Sequence, residues 1–233
     1  MPVPARLSEA VVTHRHPPGR PRVFYLHGFA SSAQSTKAAY FAERLRDCDI
    51  VLECPDFNGP DFATLTMTRM LDELGAALSH VDESVALIGS SLGGTLAILA
   101  AVRFAPKVDR VILLAPAVMF AKPGHHLLPP ERIDEWQSRG ALSFFHYAYG
   151  EERLLNYSFY EDSLHHDAFN APFTQPTLIF QGLRDASVDF RTVEAFARQR
   201  PNVTLSLVDD DHQLIASLPR IWESVVDFMG LVE

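Results

Sequence analysis

Residues 85–97 run VALIGSSLGGTLA, and the reading of this stretch decides the fold. Residues 85–88 form a short apolar run of the kind that makes a buried strand. From Leu92 to Phe104 the chain is rich in Ala and Leu and is closed by Pro106, which reads as a helix. Between the two, Gly89-Ser90-Ser91-Leu92-Gly93 fits the pattern G-x-S-x-G with Ser91 at its centre. A nucleophilic serine on a tight strand-to-helix turn sits in strained backbone geometry. Small residues two before and two after it let the flanking backbone pass closely. The turn lifts the hydroxyl out of the sheet and aims the next helix's N-terminus at it. Ser90 is out of frame, because Ile88 stands where the first glycine would have to be. Short Gly/Ser matches also arise by chance as plain helix starts; the strand before and the helix after supply the context the motif requires.

The same alternation extends outward. Strands are predicted at 23–26, 50–52, 85–88, 108–114, 177–180 and 203–208, and helices at 36–46, 62–78, 92–104, 190–200 and 214–229. The strands are apolar on both faces and separated by helices. This predicts a mostly parallel sheet of about six or seven strands, covered by helices on both faces, with right-handed crossovers. A chain of 233 residues is long enough for one such domain and one sizeable core, so residues 1–233 read as a single domain. Residues 117–176 break the pattern. They carry Trp136, Phe144, Phe145, Tyr147, Tyr149, Tyr157, Phe159 and Tyr160 without a clear core strand. A connection of that length is expected to be a lid or binding insertion, here read as a small, mainly helical cap. The aromatic run at 144–147 fits either an acyl pocket or the cap's own packing.

Three further segments sit at predicted strand ends. His27-Gly28-Phe29 follows the first strand. Acyl transfer builds negative charge on a carbonyl oxygen, and two fixed backbone N–H groups stabilise it. By position these are the N–H groups of Phe29 and of Leu92, the residue after the candidate nucleophile. Gln181-Gly182-Leu183-Arg184-Asp185 follows the fifth strand, where Asp185 can orient a histidine. Asp162 and Asp189 are rival acids, Asp189 being better placed to cap the helix after it. Asp209-Asp210-Asp211-His212 follows the sixth strand and offers His212 as the base. The chain order Ser91, Asp185, His212 is the one expected when this chemistry is built on a parallel sheet, with every member at a strand's carboxyl end. Other histidines read differently. Neighbours such as His125-His126 and His165-His166 diverge, and no third ligand recurs at useful spacing, so no metal is expected. His14 and His16 lie in a proline-rich, solvated stretch.

Composition narrows the class. Hydrophobic residues make up 47% and charged residues 21% of the chain, with a formal net charge of −9. This is a globular composition, and its acidity disfavours nucleic acid and anionic membrane surfaces. No apolar run reaches the length of a membrane span. The first nineteen residues have no apolar core of a signal peptide, so a cytoplasmic location is expected. Cys48 and Cys54 flank a predicted strand that holds them too far apart to bond.

With these residues in place, the chain resembles the α/β-hydrolase superfamily, and more closely the small bacterial YqiA-like esterases. The stretches FYLHGFASSAQSTKAAYFAERL, LIGSSLGGTLA, LIFQGLRD and DDDHQL carry the likeness, which covers all but roughly the first twenty residues. The resemblance implies the α/β-hydrolase fold and a serine enzyme acting on ester bonds without a cofactor. It implies Ser91 as nucleophile, His212 as base, Asp185 as orienting acid, and Phe29 and Leu92 as oxyanion donors. The partner is then a small-molecule ester or acyl substrate, which the resemblance leaves unspecified, as it does the oligomeric state. The sequence departs at Gln181-Gly182, where relatives often have His-Gly. It also has too few residues before Val23 for the two leading strands of larger relatives. Two alternatives stay open, an acyl-thioesterase on the same three residues and a non-catalytic binding protein on a hydrolase scaffold. A dehalogenase needs Asp, and a dienelactone-type hydrolase Cys, where Ser91 stands.

Overall fold

Short strands with apolar residues on both sides give the sheet two covered faces. A computed structural model of the protein describes residues 21–122 and 128–231. In chain order the elements are β1 (Arg22–Leu26), α1 (Thr36–Asp47), β2 (Leu52–Glu53), α2 (Met67–Ser79), β3 (Val85–Ser90), α3 (Leu92–Arg103) and β4 (Val108–Leu114). Then come α4 (Pro130–Arg139), β5 (Ala141–His146), β6 (Glu151–Asn156), α5 (Ser158–Ser163), β7 (Thr177–Gly182), α6 (Phe190–Arg198), β8 (Val203–Val208) and α7 (Leu218–Met229). The main sheet has six strands in the order β2-β1-β3-β4-β7-β8, all parallel. It is an α/β-hydrolase fold. Phe24, Leu26, Leu87, Leu113 and Ile179 face α2, α3 and α6, while Tyr25, Ile88, Ile112, Leu114 and Phe180 face α1 and α7. No helix among the described residues is long and apolar enough to cross a membrane.

The register brings the strand ends level. Leu26 lies beside Gly89, Ser90 beside Leu114, Leu114 beside Phe180, and Gly182 beside Val208. In a parallel sheet this collects the loops after β1, β3, β7 and β8 on one edge.

Two expectations are corrected. The helix expected from residue 62 begins at Met67, after a single 3-10 turn at Phe62–Thr64. Thr66 stands between them in extended conformation and its side chain accepts from the Arg69 N–H, a strong N-cap that restarts the helix. The insertion at 117–176 is not mainly helical. Its centre is the antiparallel hairpin β5–β6, flanked by α4 and α5. Leu142, His146 and Leu155 are buried while Ser143, Phe145 and Leu154 are exposed, a period of two that belongs to a strand. Trp136 of α4 is buried, and its Nε1–H donates to the Leu155 carbonyl at 2.8 Å, tying helix to hairpin. Cys48 and Cys54 form no disulfide. Burial pushes the Cys54 thiol up to about 12, so it is an inert group.

The start of α3 crosses the sheet edge with no room for a side chain. A Cβ on Gly93 would lie 1.9 Å from the Leu26 carbonyl oxygen, and one on Gly89 2.4 Å from that of Gly93. Both obstacles are backbone. Gly93→Ala is therefore expected to lose about 2 kcal/mol or more of stability, seen as a lower urea midpoint at unchanged slope. A variant unfolding at the wild-type midpoint refutes this account of the crossing.

Candidate active site

Ser91 follows the last residue of β3 and has φ 54° and ψ −116°. A positive φ is costly for a residue with a Cβ and persists only when the surroundings over-determine it. They do so here. The Ser91 N–H donates to the Leu114 carbonyl at 3.0 Å, and the Ser91 carbonyl accepts from Gly94 at 2.9 Å and Ala117 at 3.1 Å. Between residues 85 and 98, Ser91 alone is not buried. Although it occupies the N-cap position of α3, its side chain makes no capping bond, so the hydroxyl is uncommitted to the helix.

The loop after β1 lies against it. A Cβ built on Gly28 would stand 3.3 Å from the Ser91 Cβ and 3.9 Å from its Oγ. His27 sets the orientation of the next peptide. The Phe57 N–H donates to His27 Nε2 at 3.1 Å, so the proton is on Nδ1, which donates to the Gly28 carbonyl at 2.9 Å. Burial holds this imidazole below its ordinary pKa and keeps it neutral, against the opposing pull of the Gly28 carbonyl and Asp56. In a trans peptide the C=O and the following N–H point in opposite directions, so fixing the Gly28 carbonyl fixes the Phe29 N–H. Among the described residues neither the Phe29 nor the Leu92 N–H donates to a protein acceptor. Leu92 is the first residue of α3, where helix N–H groups have no internal partner. A cavity of about 540 Å³ opens here, with Phe29, Ser91, Leu92, Met119, Phe120 and Val188 in its wall.

Asp185 and His212 form a pair from the loops after β7 and β8. His212 Nδ1 donates to Asp185 Oδ2 at 2.8 Å, which leaves Nε2 as the basic nitrogen. The Asp185 side chain is wholly shielded from solvent. Its Oδ1 accepts from the N–H groups of Ser187 and Val188, each at 2.8 Å, and its Oδ2 also from Gln181 Nε2 at 2.9 Å. Burial alone would push this carboxyl up. The bonds from His212, Val188 and Gln181, with the imidazole's charge, outweigh it and hold the carboxyl below its ordinary range. Gln181, noticed in the sequence only as a departure, is thus a direct partner of the acid.

The rival residues are occupied elsewhere. Asp189 caps α6 by accepting from the Arg191 N–H. Asp162 accepts from the Thr68 N–H and hydroxyl and lies 3.5 Å from His166. Of the acidic run, Asp210 is buried and accepts from the Ser217 N–H, while Asp209 pairs with Arg184 at 3.3 Å. The aromatic run divides. Phe144 packs on Trp136 at 5.0 Å, whereas Phe145 and Tyr147 face solvent. His14, His16, His125 and His126 lie outside the described residues.

A family model described as "Uncharacterised protein family (UPF0227)" matches residues 22–230. The chain belongs to this family. It is the family of the YqiA-like esterases, within the α/β-hydrolase superfamily. Among curated proteins, the chain is 26% identical over 181 residues to the mouse palmitoyl-protein thioesterase ABHD10, covering 73% of this chain and 61% of that protein. The chain spans about three-fifths of the length of the curated relatives it matches. Two solved structures share the fold. A putative hydrolase from Agrobacterium vitis has a TM-score of 0.79 at 24% identity, over 90% of this chain and 88% of that one. Est1E from Butyrivibrio proteoclasticus, solved with ferulic acid, has a TM-score of 0.77 at 22% identity over the same shares.

Lys37 escaped the sequence reading. It lies in the first turn of α1, where the helix dipole disfavours a cation, and it is only 6% exposed. Its Nζ donates to the His212 carbonyl at 3.4 Å. Burial lowers its pKa from 10.5 to about 8, against the opposing pull of Asp185, Asp211 and Asp210. Between those two pH values the unfolded chain holds more protons than the folded one, so this residue makes stability rise with pH there. Wild type is expected to gain on Lys37→Met by about 3 kcal/mol between pH 7 and pH 10.5. Parallel urea curves for the two proteins at both pH values check this; a constant difference contradicts it.

Proposed function

We propose that this chain is a serine hydrolase that cleaves carboxylic esters of small or acyl substrates through an acyl-enzyme. Ser91 is the nucleophile, His212 the general base and acid, and Asp185 the group that orients His212. One observation carries the reading. A serine held at φ 54° at a helix start shares a sheet edge with an imidazole that is bonded through Nδ1 to a shielded carboxylate. Each half of this arrangement is costly to maintain.

In the proposed cycle, His212 Nε2 takes the Ser91 proton as Oγ attacks the ester carbonyl. The carbonyl oxygen becomes an oxyanion between the Phe29 and Leu92 N–H groups, which donate to no acceptor among the described residues. Asp185 keeps the Nδ1–H tautomer and stabilises the imidazolium. His212 then protonates the leaving alcohol, and the same nitrogen activates the water that releases the acid. The cavity beside Ser91, with Phe29, Met119, Phe120 and Val188 in its wall, would take the acyl group. A second reading, thioester hydrolysis on the same residues, is favoured by the likeness to proteins named palmitoyl-protein thioesterase. The two differ in the leaving group alone.

The test is a ladder of p-nitrophenyl esters and acyl-thioesters of rising chain length, run with wild type, Ser91→Ala and Asp185→Asn. Ser91→Ala is expected to abolish turnover with the melting temperature kept. Asp185→Asn is expected to lower kcat by about 10⁴-fold, because the wrong tautomer of His212 is then held. The better series of substrates separates esterase from thioesterase. Turnover that persists in Ser91→Ala sinks the assignment. No turnover and no covalent labelling of wild type by a fluorophosphonate would favour a binding protein.

A further inference from the structure

The loop that carries the Phe29 N–H is held from the cap side as well as by His27. Two of its carbonyls are bonded from outside. The Ser31 carbonyl accepts from Asn58 Nδ2 at 2.7 Å, and the Ala30 carbonyl from the Ala148 N–H at 3.4 Å, at the tip of the β5–β6 hairpin. Asn58 is itself buried, and its Nδ2 also donates to Asp56 Oδ1 at 2.8 Å. With the amide nitrogen so committed, its oxygen is the acceptor for His146 Nε2–H at 2.9 Å. His146 ends β5, is fully buried, stacks on Tyr149 with ring centres 4.1 Å apart, and meets Phe62 edge-on at 4.7 Å. A continuous chain of directed contacts therefore runs from the hairpin through Asn58 to the loop beside Ser91. An apolar contact runs parallel to it. The Phe29 ring packs on Phe144 of β5 at 5.5 Å and on Phe159 of α5 at 5.6 Å.

Packing alone does not require this polar pair. His146 Nδ1 is buried without a hydrogen-bond partner among the described residues, and two apolar side chains would seat the hairpin without stranding that nitrogen. What a hydrogen-bonded chain adds is direction. A shift of the loop at Ser31 tilts the peptide three residues earlier, and catalysis depends steeply on donor placement.

We propose that the β5–β6 hairpin is a positioning element of the oxyanion hole, acting through Asn58, which joins His146 to the Ser31 carbonyl. This rests on the reading of the Phe29 N–H as an oxyanion donor. It makes Asn58 and His146 positioning residues for the hydrolysis step, and the cap more than a wall for the acyl group.

Steady-state kinetics on one p-nitrophenyl ester, with inhibition by the trifluoromethyl ketone of the same acyl chain, test it. The proteins are the full chain as wild type, Ser91→Ala, Asn58→Ala, His146→Leu and His146→Gln, each checked for a cooperative melt. Asn58→Ala and His146→Leu are expected to lower kcat by about ten- to a hundredfold, with KM within about threefold. Affinity for the ketone, which forms the tetrahedral oxyanion, should fall by the same factor. His146→Gln, whose amide N–H stands near the position of Nε2, should recover most of the loss. Should Asn58→Ala not fold, the two His146 variants carry the same comparison. Unchanged kcat in the variants overturns the inference, as does lost kcat with full ketone affinity, or a Gln variant no better than Leu. These failures presuppose a wild-type rate that vanishes in Ser91→Ala. Where wild type itself shows no turnover, the hydrolase reading has failed, and this inference falls with it.

Discussion

A backbone crossing with no space for a Cβ governs the functional edge of this protein. The first turn of α3 passes over the end of β1 so closely that the Cα of Gly93 faces the Leu26 carbonyl. That approach is possible only if the chain reverses within one residue between β3 and α3. Ser91 is that residue, and its positive φ is the consequence. The helix start, the loop after β1 and the serine hydroxyl are thereby placed by the same contact. Level strand ends then deliver the loops of β7 and β8 to the same side, so the remaining groups need no further element to reach it.

The groups assembled there are held by bonds that fix direction. Asp185 accepts from four donors, one of them His212, and the carboxylate is stabilised as an anion although it is shielded. His27 is kept neutral by burial, and its tautomer is set by the Phe57 N–H, which makes it a donor to Gly28. Each imidazole is therefore assigned one role by its neighbours. Lys37 balances the negative charge gathered around His212, where a mobile surface cation would be screened by water. The cap adds a hairpin from which His146, the last residue of β5, reaches the loop after β1 through Asn58.

Much of this was legible in the sequence because short-range rules produce it. Strands β4 and β8 begin and end where the apolar runs do. G-x-S-x-G located the elbow because glycine is required at the two flanking contacts. Asp189 was readable as a cap from its place before α6. The hairpin was misread because aromatic residues at 144–149 suit either period. Only the antiparallel pairing with Glu151–Asn156, which depends on what lies opposite, distinguishes a strand from a helix there. The restart of α2 at Thr66 was missed because the apolar spacing runs through the cap.

The sequence by itself determined the layered α/β architecture, the order of its main elements and the identity of the serine, aspartate and histidine at strand ends. These follow from periodicity and from backbone sterics acting over a few residues. Tertiary structure alone decided which polar groups meet across long separations. Gln181 rather than a histidine supports Asp185, Lys37 lies under a loop 175 residues away, and Asn58 bridges Ser31 to His146, 88 residues on. A hydrogen bond is short and directional, so its partners are set by how the layers settle against one another, and no local pattern in the chain records that.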